Sequence, residues 1–241
     1  MEVITFADLD DTLFSSTRKC SDITRHKVAA YLPDGLPGAY STPQQQILIS
    51  LLEKYTVIPV TGRRTDSLNR VLLSFNHYKV ASHGAIILNE HNGIHPSWIK
   101  ILEVEEPVWR EKMVHLADEI TSYIVKYSCN LRVRVVDDYG YSCYVCVKGD
   151  KYDLKKLQVY QADEISSEGF ILHINDRNLA FMPPYASKGR AVAFLKKELT
   201  STSTKSFTFF GLGDSISDAG FMSECDFQII PSNSQIAEKL K

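Results

Sequence analysis

The sequence predicts an α/β fold: a parallel-sheet core interrupted by an inserted α+β unit of αββαββ order. Three observations predict it. At both ends of the chain, short β-branched or aromatic runs alternate with helical patterns, as in parallel strands joined by crossover helices. The middle instead shows two rounds of one helix and one hairpin, the pattern of an antiparallel sheet with helices on it. Acidic, hydroxyl and glycine-rich segments follow the apolar runs directly, at the strand ends where parallel sheets gather ligands.

In chain order, VITF (3–6) reads as a buried strand that ends in an acidic segment at 8–12. A polar connecting segment with Pro33, Gly35, Pro37 and Gly38 follows. Ser41-Thr42-Pro43 marks a helix start, with proline in the first turn, and the helix continues through QQQILISLLEKY. TVIPV (56–60) is the second strand, and TGRR follows at once. Thr65-Asp66 opens a helix through SLNRVLLSF, and YKVAS (78–82) is the third strand.

The insertion begins after this. Residues 105–128 form one long helical pattern, then LRVRVV and YSCYVCV form a hairpin around Asp137–Gly140. YDLKKLQVYQADEI is a second helix, and GFILHI and NLAFMP a second hairpin with Asn175–Arg177 in its turn, a candidate ligand contact. The parallel pattern resumes with a helix from near Ser187, strands at 207–211 and 226–230, and a last helix SQIAEKLK. The expected division is 1–83 with 183–241 for the core and 84–182 for the insertion.

Composition narrows the function. The 241 residues are 44% hydrophobic and 23% charged, the mix of a globular protein. A net charge of −2 offers no basic excess for a nucleic-acid backbone, so no nucleic-acid partner is expected. An anionic ligand must then be met by local charge or by a metal. The opening MEVITFADLDD carries acids where a leader carries bases, and apolar runs such as ILISLL are too short for a membrane helix. The expected setting is cytoplasmic, away from membranes. Five scattered cysteines do not suggest a disulfide framework. Cys143 and Cys146 form a CxxC, but on an alternating strand they face opposite sides, so buried small side chains are expected rather than a metal pair. His91 and His95 flank a turn-like segment, which reads as a surface hairpin rather than a metal pair.

Four short motifs carry chemistry. FADLDDTL (6–13) and VTGRR (60–64) follow strands, ASKGR (186–190) opens a helix, and GLGDSISD (211–218) follows a late strand. Each alone has a bland reading as a solvated turn or surface lysine. In this order on one sheet they supply carboxylates, a hydroxyl and an ammonium, the equipment for phosphoryl transfer with a divalent ion. Asp8, Asp10 and Asp214 brought together repel, and Mg²⁺, which prefers oxygen ligands, relieves that. Lys188 adds a second positive centre. Thr61 can hold a phosphoryl oxygen by its hydroxyl or its N–H. Asp8 and Asp10, two apart in an extended segment, address one substrate from the same side. One can attack phosphorus while the other serves as acid and then base. Arg63 either clamps a substrate phosphate or solvates a helix start, and Asp11 is expected to face away.

These motifs resemble those of the haloacid dehalogenase superfamily of phosphatases. The family's Asp-x-Asp-x-Thr matches Asp8-Leu9-Asp10-Asp11-Thr12, its second-motif Thr or Ser matches Thr61, its lysine matches Lys188, and its Gly-Asp-x-x-x-Asp matches Gly213 to Asp218. The resemblance implies a Rossmann-like core and an aspartyl-phosphate on Asp8. It also implies Asp10 as general acid/base with its carbonyl on Mg²⁺, Asp214 as metal ligand, and Asp218 as direct or water-mediated support. Substrate contacts are expected from Thr61, Gly62, Arg63 and Lys188. An insertion between the second and third motifs resembles the C2 cap, and αββαββ its smaller C2B form, as in Cof-type and sucrose-phosphate phosphatases. Such a cap is expected to close over the site, exclude water and select substrate. Ser82-His83-Gly84-Ala85 resembles the Asn-Gly-Ala at the entry to that cap, with His83 in place of the asparagine.

The expected function is a Mg²⁺-dependent phosphomonoesterase acting on a small phosphorylated metabolite such as a sugar phosphate. A phosphomutase of the phosphomannomutase kind shares the same aspartyl chemistry. A receiver-like phospho-acceptor module also combines acids, a hydroxyl and a lysine. It is shorter, however, and carries its aspartate after a later strand.

Overall fold

A computed structural model describes residues 1–20, 22–175 and 178–240. The chain forms two compact units, Met1–His95 with Lys188–Lys241 and Pro96–Ser187. The expected boundaries lay near 84 and 182. Residues 84–95 stay with the first unit because β6 (Lys79–Ala81) pairs antiparallel with β7 (Ile86–Leu88).

In the first unit, β1 (Glu2–Ala7) lies between β12 (Phe207–Leu212) and β5 (Thr56–Pro59), and β13 (Phe227–Ile229) completes the order β13-β12-β1-β5. All three pairings are parallel. Burial explains β1: Ile4, Phe6 and Ala7 are buried, and so is Thr5 on the alternate face, as expected of a strand covered on both sides. The helices of this unit are α1 (Pro43–Leu52), α2 (Thr65–Leu68), α5 (Lys188–Thr202), α6 (Ala219–Met222) and α7 (Gln235–Lys239). The start of α1 is fixed as expected. Thr42 accepts from the Gln45 N–H, Gln45 accepts from the Thr42 N–H, and Pro43 sits in the first turn. Gln45 also donates to the Thr12 carbonyl at 3.2 Å, so this helix end braces the acidic loop.

Two expectations change. The polar segment after the first strand is not a plain connection. It folds as a three-stranded antiparallel sheet of β2 (Ser15–Ser16), β4 (Pro37–Ser41) and β3 (Lys27–Tyr31). The helix expected through SLNRVLLSF stops at Leu68. Val71 bridges to Ala30, Tyr31 donates to the Arg70 carbonyl, and Leu72 donates to the Ala29 carbonyl. Pairing to the exposed edge of β3 overrides the local helical period. A cavity of about 480 Å³ lies beside the shortened helix, lined by Leu52, Val57, Phe75 and His77 among others, and none of the expected site residues lines it.

The second unit contains α3 (Pro96–Lys126), β8 (Leu131–Asp138), β9 (Tyr141–Gly149), α4 (Lys151–Glu164), β10 (Ile171–Asn175) and β11 (Asn178–Met182). That is the expected αββαββ order, although α3 begins nine residues earlier than its apolar pattern suggested. The strands form one antiparallel sheet in the order β10-β11-β9-β8. One face, with Val145, Val147, Leu179 and Phe181, is buried. Glu106 is a buried carboxylate on α3; it pairs with Arg110 at 2.7 Å and accepts the Ser142 N–H at 2.8 Å, tying helix to sheet. Asp176 and Arg177 of the expected turn lie outside the described residues. Cys143 and Cys146 are both buried on β9, as small side chains. The segment between His91 and His95 is part of a hairpin, as expected, with Leu88 bridged antiparallel to Ile94 and the His95 N–H on the Ile87 carbonyl. His91 is exposed, but His95 is not at the surface, being buried against Tyr78 and Phe194 with Nε2 3.8 Å from Glu198. Among the described residues no helix is long and apolar enough to cross a membrane.

Replacing Thr42 with alanine removes half of the capping box. The variant is expected to lose about 1 kcal/mol of stability, seen as a lowered midpoint in thermal or urea unfolding.

Candidate active site

The site is built at the carboxyl end of the parallel sheet. β1 delivers Asp8, whose N–H donates to the Leu212 carbonyl on the neighbouring strand at 2.8 Å. Asp8 is only 5% exposed. Lys188, at the first residue of α5, places Nζ 2.7 Å from Asp8 Oδ1 and 2.7 Å from Asp218 Oδ1. Thr12 Oγ1 stands 3.2 Å from both Asp8 Oδ2 and Asp214 Oδ1, linking the first and last motifs. Among the described residues, Asp8, Asp214 and Asp218 each offer a carboxylate oxygen within 4.8 Å of the others.

Asp218 is held on both oxygens. Lys188 takes Oδ1, while the Ser215 N–H and hydroxyl donate to Oδ2 at 3.0 and 2.7 Å. Asp218 therefore supports the site more than it reaches outward. Gly213 makes this packing possible. A Cβ there would lie 2.6 Å from Asp218 Cβ and 2.7 Å from Met222 Sδ.

Electrostatics record three carboxylates around one ammonium. Burial raises the Asp8 pKa to about 7, with Lys188 opposing and Asp218 and Asp10 adding to the rise. Burial and the Asp218 charge push Asp214 up to about 6. Asp218 moves the other way: burial works against its ionisation, but Lys188 and the Ser215 donors outweigh it. Burial would likewise lower the Lys188 pKa, yet Asp8 and Asp218 hold it above the usual lysine range. An oxygen-only donor set with unrelieved negative charge fits a hard divalent cation such as Mg²⁺. Asp8 and Asp214 would hold it, with Asp218 behind them.

The remaining expected residues split. Asp10 is not in the carboxylate group. Its carboxylate takes a two-pronged contact from Arg63, Nε and Nη2 each at 2.7 Å, on a guanidinium that also stacks 5.0 Å from the Phe14 ring centroid. Arg63 thus neither caps a helix nor stands free for a phosphate. Thr61 is buried, and its N–H is spent on the Val80 carbonyl at 3.0 Å, so only its hydroxyl can meet a phosphoryl oxygen. That hydroxyl accepts the Arg63 N–H at 3.1 Å. Asp11 sits at φ +67° and pairs with Lys19, and its charge still adds to the rise at Asp214.

Sequence reasoning missed Ser215 and the bracing by Thr12 and His83. Ser82, His83 and Gly84 run at positive φ, and this turn pins the second motif: Ser82 donates to the Arg63 carbonyl and His83 to the Thr61 carbonyl. The His83 ring packs on Gly62, where a Cβ would come within 2.5 Å of it. The glycine in TGRR was the available signal for such an approach.

No protein-family model matches the sequence, and no curated protein is significantly similar to it. Solved structures do match. A sucrose-phosphatase from Synechocystis, in complex with sucrose and phosphate, superposes with TM-score 0.57 at 16% identity, over 100% of this chain and 87% of that one. A haloacid dehalogenase-like hydrolase from B. subtilis gives TM-score 0.54 at 15% identity, over 100% of this chain and 92% of that one. The chain has the haloacid dehalogenase-like fold. The C-terminal domain of C. albicans trehalose-6-phosphate phosphatase is similar too, with TM-score 0.56, 15% identity, and 92% and 73% of the two chains covered. At these identities the fold is what is shared, and the expectation of a Rossmann-like core agrees with it.

Two outcomes are expected. Gly213→Ala forces Asp218 or Met222 aside, and unfolding should show a loss of about 1–3 kcal/mol. The second concerns pH. A carboxyl with a folded-state pKa above its unfolded value of 3.8 stabilises the fold only while protonated. The contribution from Asp8 and Asp214 is therefore present below about pH 4 and lost as pH rises through about 6 to 7. Mg²⁺ should raise the melting temperature of the protein clearly at pH 8 and little at pH 5, where protons compete for both carboxylates.

Proposed function

We propose that this chain is a Mg²⁺-dependent phosphomonoesterase that forms an aspartyl-phosphate on Asp8, acting on a sugar phosphate or related small metabolite. One observation carries the reading: a buried Asp8, held by Lys188, shares its site with Asp214 and Asp218 within 4.8 Å. The sucrose- and trehalose-phosphate phosphatases that share the fold suggest the sugar-phosphate class.

In this reading an Asp8 carboxylate oxygen attacks phosphorus, and the bond from phosphorus to the ester oxygen breaks. The departing oxygen takes a proton from Asp10. A water then attacks the acyl-phosphate, giving its proton to Asp10, and the Asp8 carboxylate returns as inorganic phosphate leaves. Lys188 keeps Asp8 oriented and offsets charge on the transferring group. The Thr61 hydroxyl, its N–H already engaged, donates to a phosphoryl oxygen. Asp10 reaches its role by leaving the Arg63 guanidinium for the leaving-group oxygen. Mg²⁺, held by Asp8 and Asp214 and the Asp10 carbonyl, would neutralise the phosphate charge so that an anionic nucleophile can approach.

The test is phosphate release from a panel of sugar, polyol, glycerate and nucleotide monophosphates, with Mg²⁺ and with EDTA. Asp8→Asn should lower kcat by at least about 10³-fold while the far-ultraviolet dichroism stays unchanged. Full activity in that variant would sink the mechanism.

A further inference from the structure

The cavity of about 480 Å³ in the first unit has a structural origin. Neighbouring parallel strands are usually joined by a helix that packs back onto the sheet. Here the connection from β5 to β6 gives up that helix at Leu68, because residues 70–72 pair with β3. Residues 73–77 then run without regular structure, and a space stays open between them, the start of β5 and the end of α1. Its size falls in the range of small-molecule sites, about 300–1000 Å³, far above the water-sized voids usual in protein interiors.

The walls narrow down the occupant. Leu13, Leu52, Val57 and Phe75 supply apolar surface, and Tyr55 a further aromatic ring. Aromatic faces attract cations. Among the described residues that line the cavity, Glu53 is the one carboxylate, and no lysine or arginine lines it. His77 lines it too. Burial holds His77 below the ordinary histidine pKa, against the opposite pull of Glu90 and Glu2, so it adds no positive charge at neutral pH. Glu53 closes the ten-residue helix α1, whose dipole puts a partial negative charge at that end. Its exposed carboxylate pairs with no cation among the described residues. An apolar body covers the leucines and Val57, and a positive group answers Glu53 and the helix end. An anion is repelled by both, and a neutral molecule leaves both unanswered.

We propose that this cavity binds a small organic ammonium compound, an amine carried on an apolar or aromatic body. Every wall belongs to the first unit, and the proposal does not need the phosphatase reading.

Three probes of one shape and different charge test it: phenethylammonium, phenethyl alcohol and phenylacetate. Each is titrated into the full-length protein and followed by amide chemical shifts in nuclear magnetic resonance. Phenethylammonium should bind most tightly and phenylacetate most weakly, with shifts centred on Leu52, Val57 and Phe75. Glu53→Gln should weaken the ammonium compound roughly 3- to 5-fold, as expected of an exposed ion pair, and leave the alcohol unchanged. Ser74→Trp, which drives an indole into the space from an exposed position on its wall, should abolish binding of both. If Ser74→Trp does not fold, Glu53→Gln carries the comparison. Binding of the alcohol or of phenylacetate as tight as that of the ammonium compound overturns the proposal, and so does an unchanged affinity in Glu53→Gln. Shifts centred on Asp8 and Asp214 instead would mean that the cation is drawn to the carboxylates of the candidate active site, which also overturns it. The absence of a saturable shift at millimolar ligand does the same. Shifts at the cavity that follow protein concentration without ligand would make a second copy of the chain the occupant, again against the proposal.

Discussion

The ammonium of Lys188, shared between Asp8 and Asp218, is the contact on which the first unit's site depends. Its two 2.7 Å contacts join the end of β1 to the turn after β12, and it does so from the first residue of α5. Burying one such pair is close to neutral for stability, because desolvation consumes most of the attraction. Burying an ammonium between two carboxylates, with a third nearby, stores negative charge in a place where water cannot screen it. Burial raises the pKa values of Asp8 and Asp214, and the neighbouring carboxylates add to the rise. The fold tolerates it because the sheet fixes the backbone of each carrier before the side chains meet.

Around this centre each motif is fastened by a contact that has no chemical role of its own. Gln45 holds the Thr12 carbonyl, the Ser82–Gly84 turn holds Thr61 and Arg63, and Ser215 holds Asp218. The result is a set of carboxylates whose positions are decided by packing and backbone bonds. That rigidity suits the proposed phosphoryl transfer, where positioning and electrostatics do nearly all the work. Asp10 is the exception. It is partly exposed and tethered by a single side chain, Arg63.

Much of this was legible in the sequence. Parallel strands buried on both faces read as apolar runs, so the ends of VITF and TVIPV located Asp8 and Thr61 without any coordinates. The αββαββ order was equally clear, since LRVRVV and YSCYVCV alternate with period two. What escaped has a common cause, which is pairing between segments far apart in sequence. The strand at 27–31 is short and half-exposed, and only its docking with 37–41 and 70–72 makes it a strand. The same docking unwinds the helix that Leu68, Val71 and Leu72 would otherwise continue. His95 looked like a surface residue because nothing local shows that Tyr78, Phe194 and Glu198 gather around it.

The contact between Gly62 and His83 has an evolutionary consequence. Any side chain at position 62 would occupy the space of the imidazole, and the left-handed backbone at 83 restricts which residues can retreat from it. The two positions therefore form one steric unit although twenty residues separate them. Position 62 cannot gain a side chain while the imidazole stands there, whereas the His83 N–H on the Thr61 carbonyl is a backbone bond that a substitution at 83 leaves in place. A lineage that replaced the histidine with something smaller would release position 62 first. Only afterwards could the loop after β5 explore new side chains.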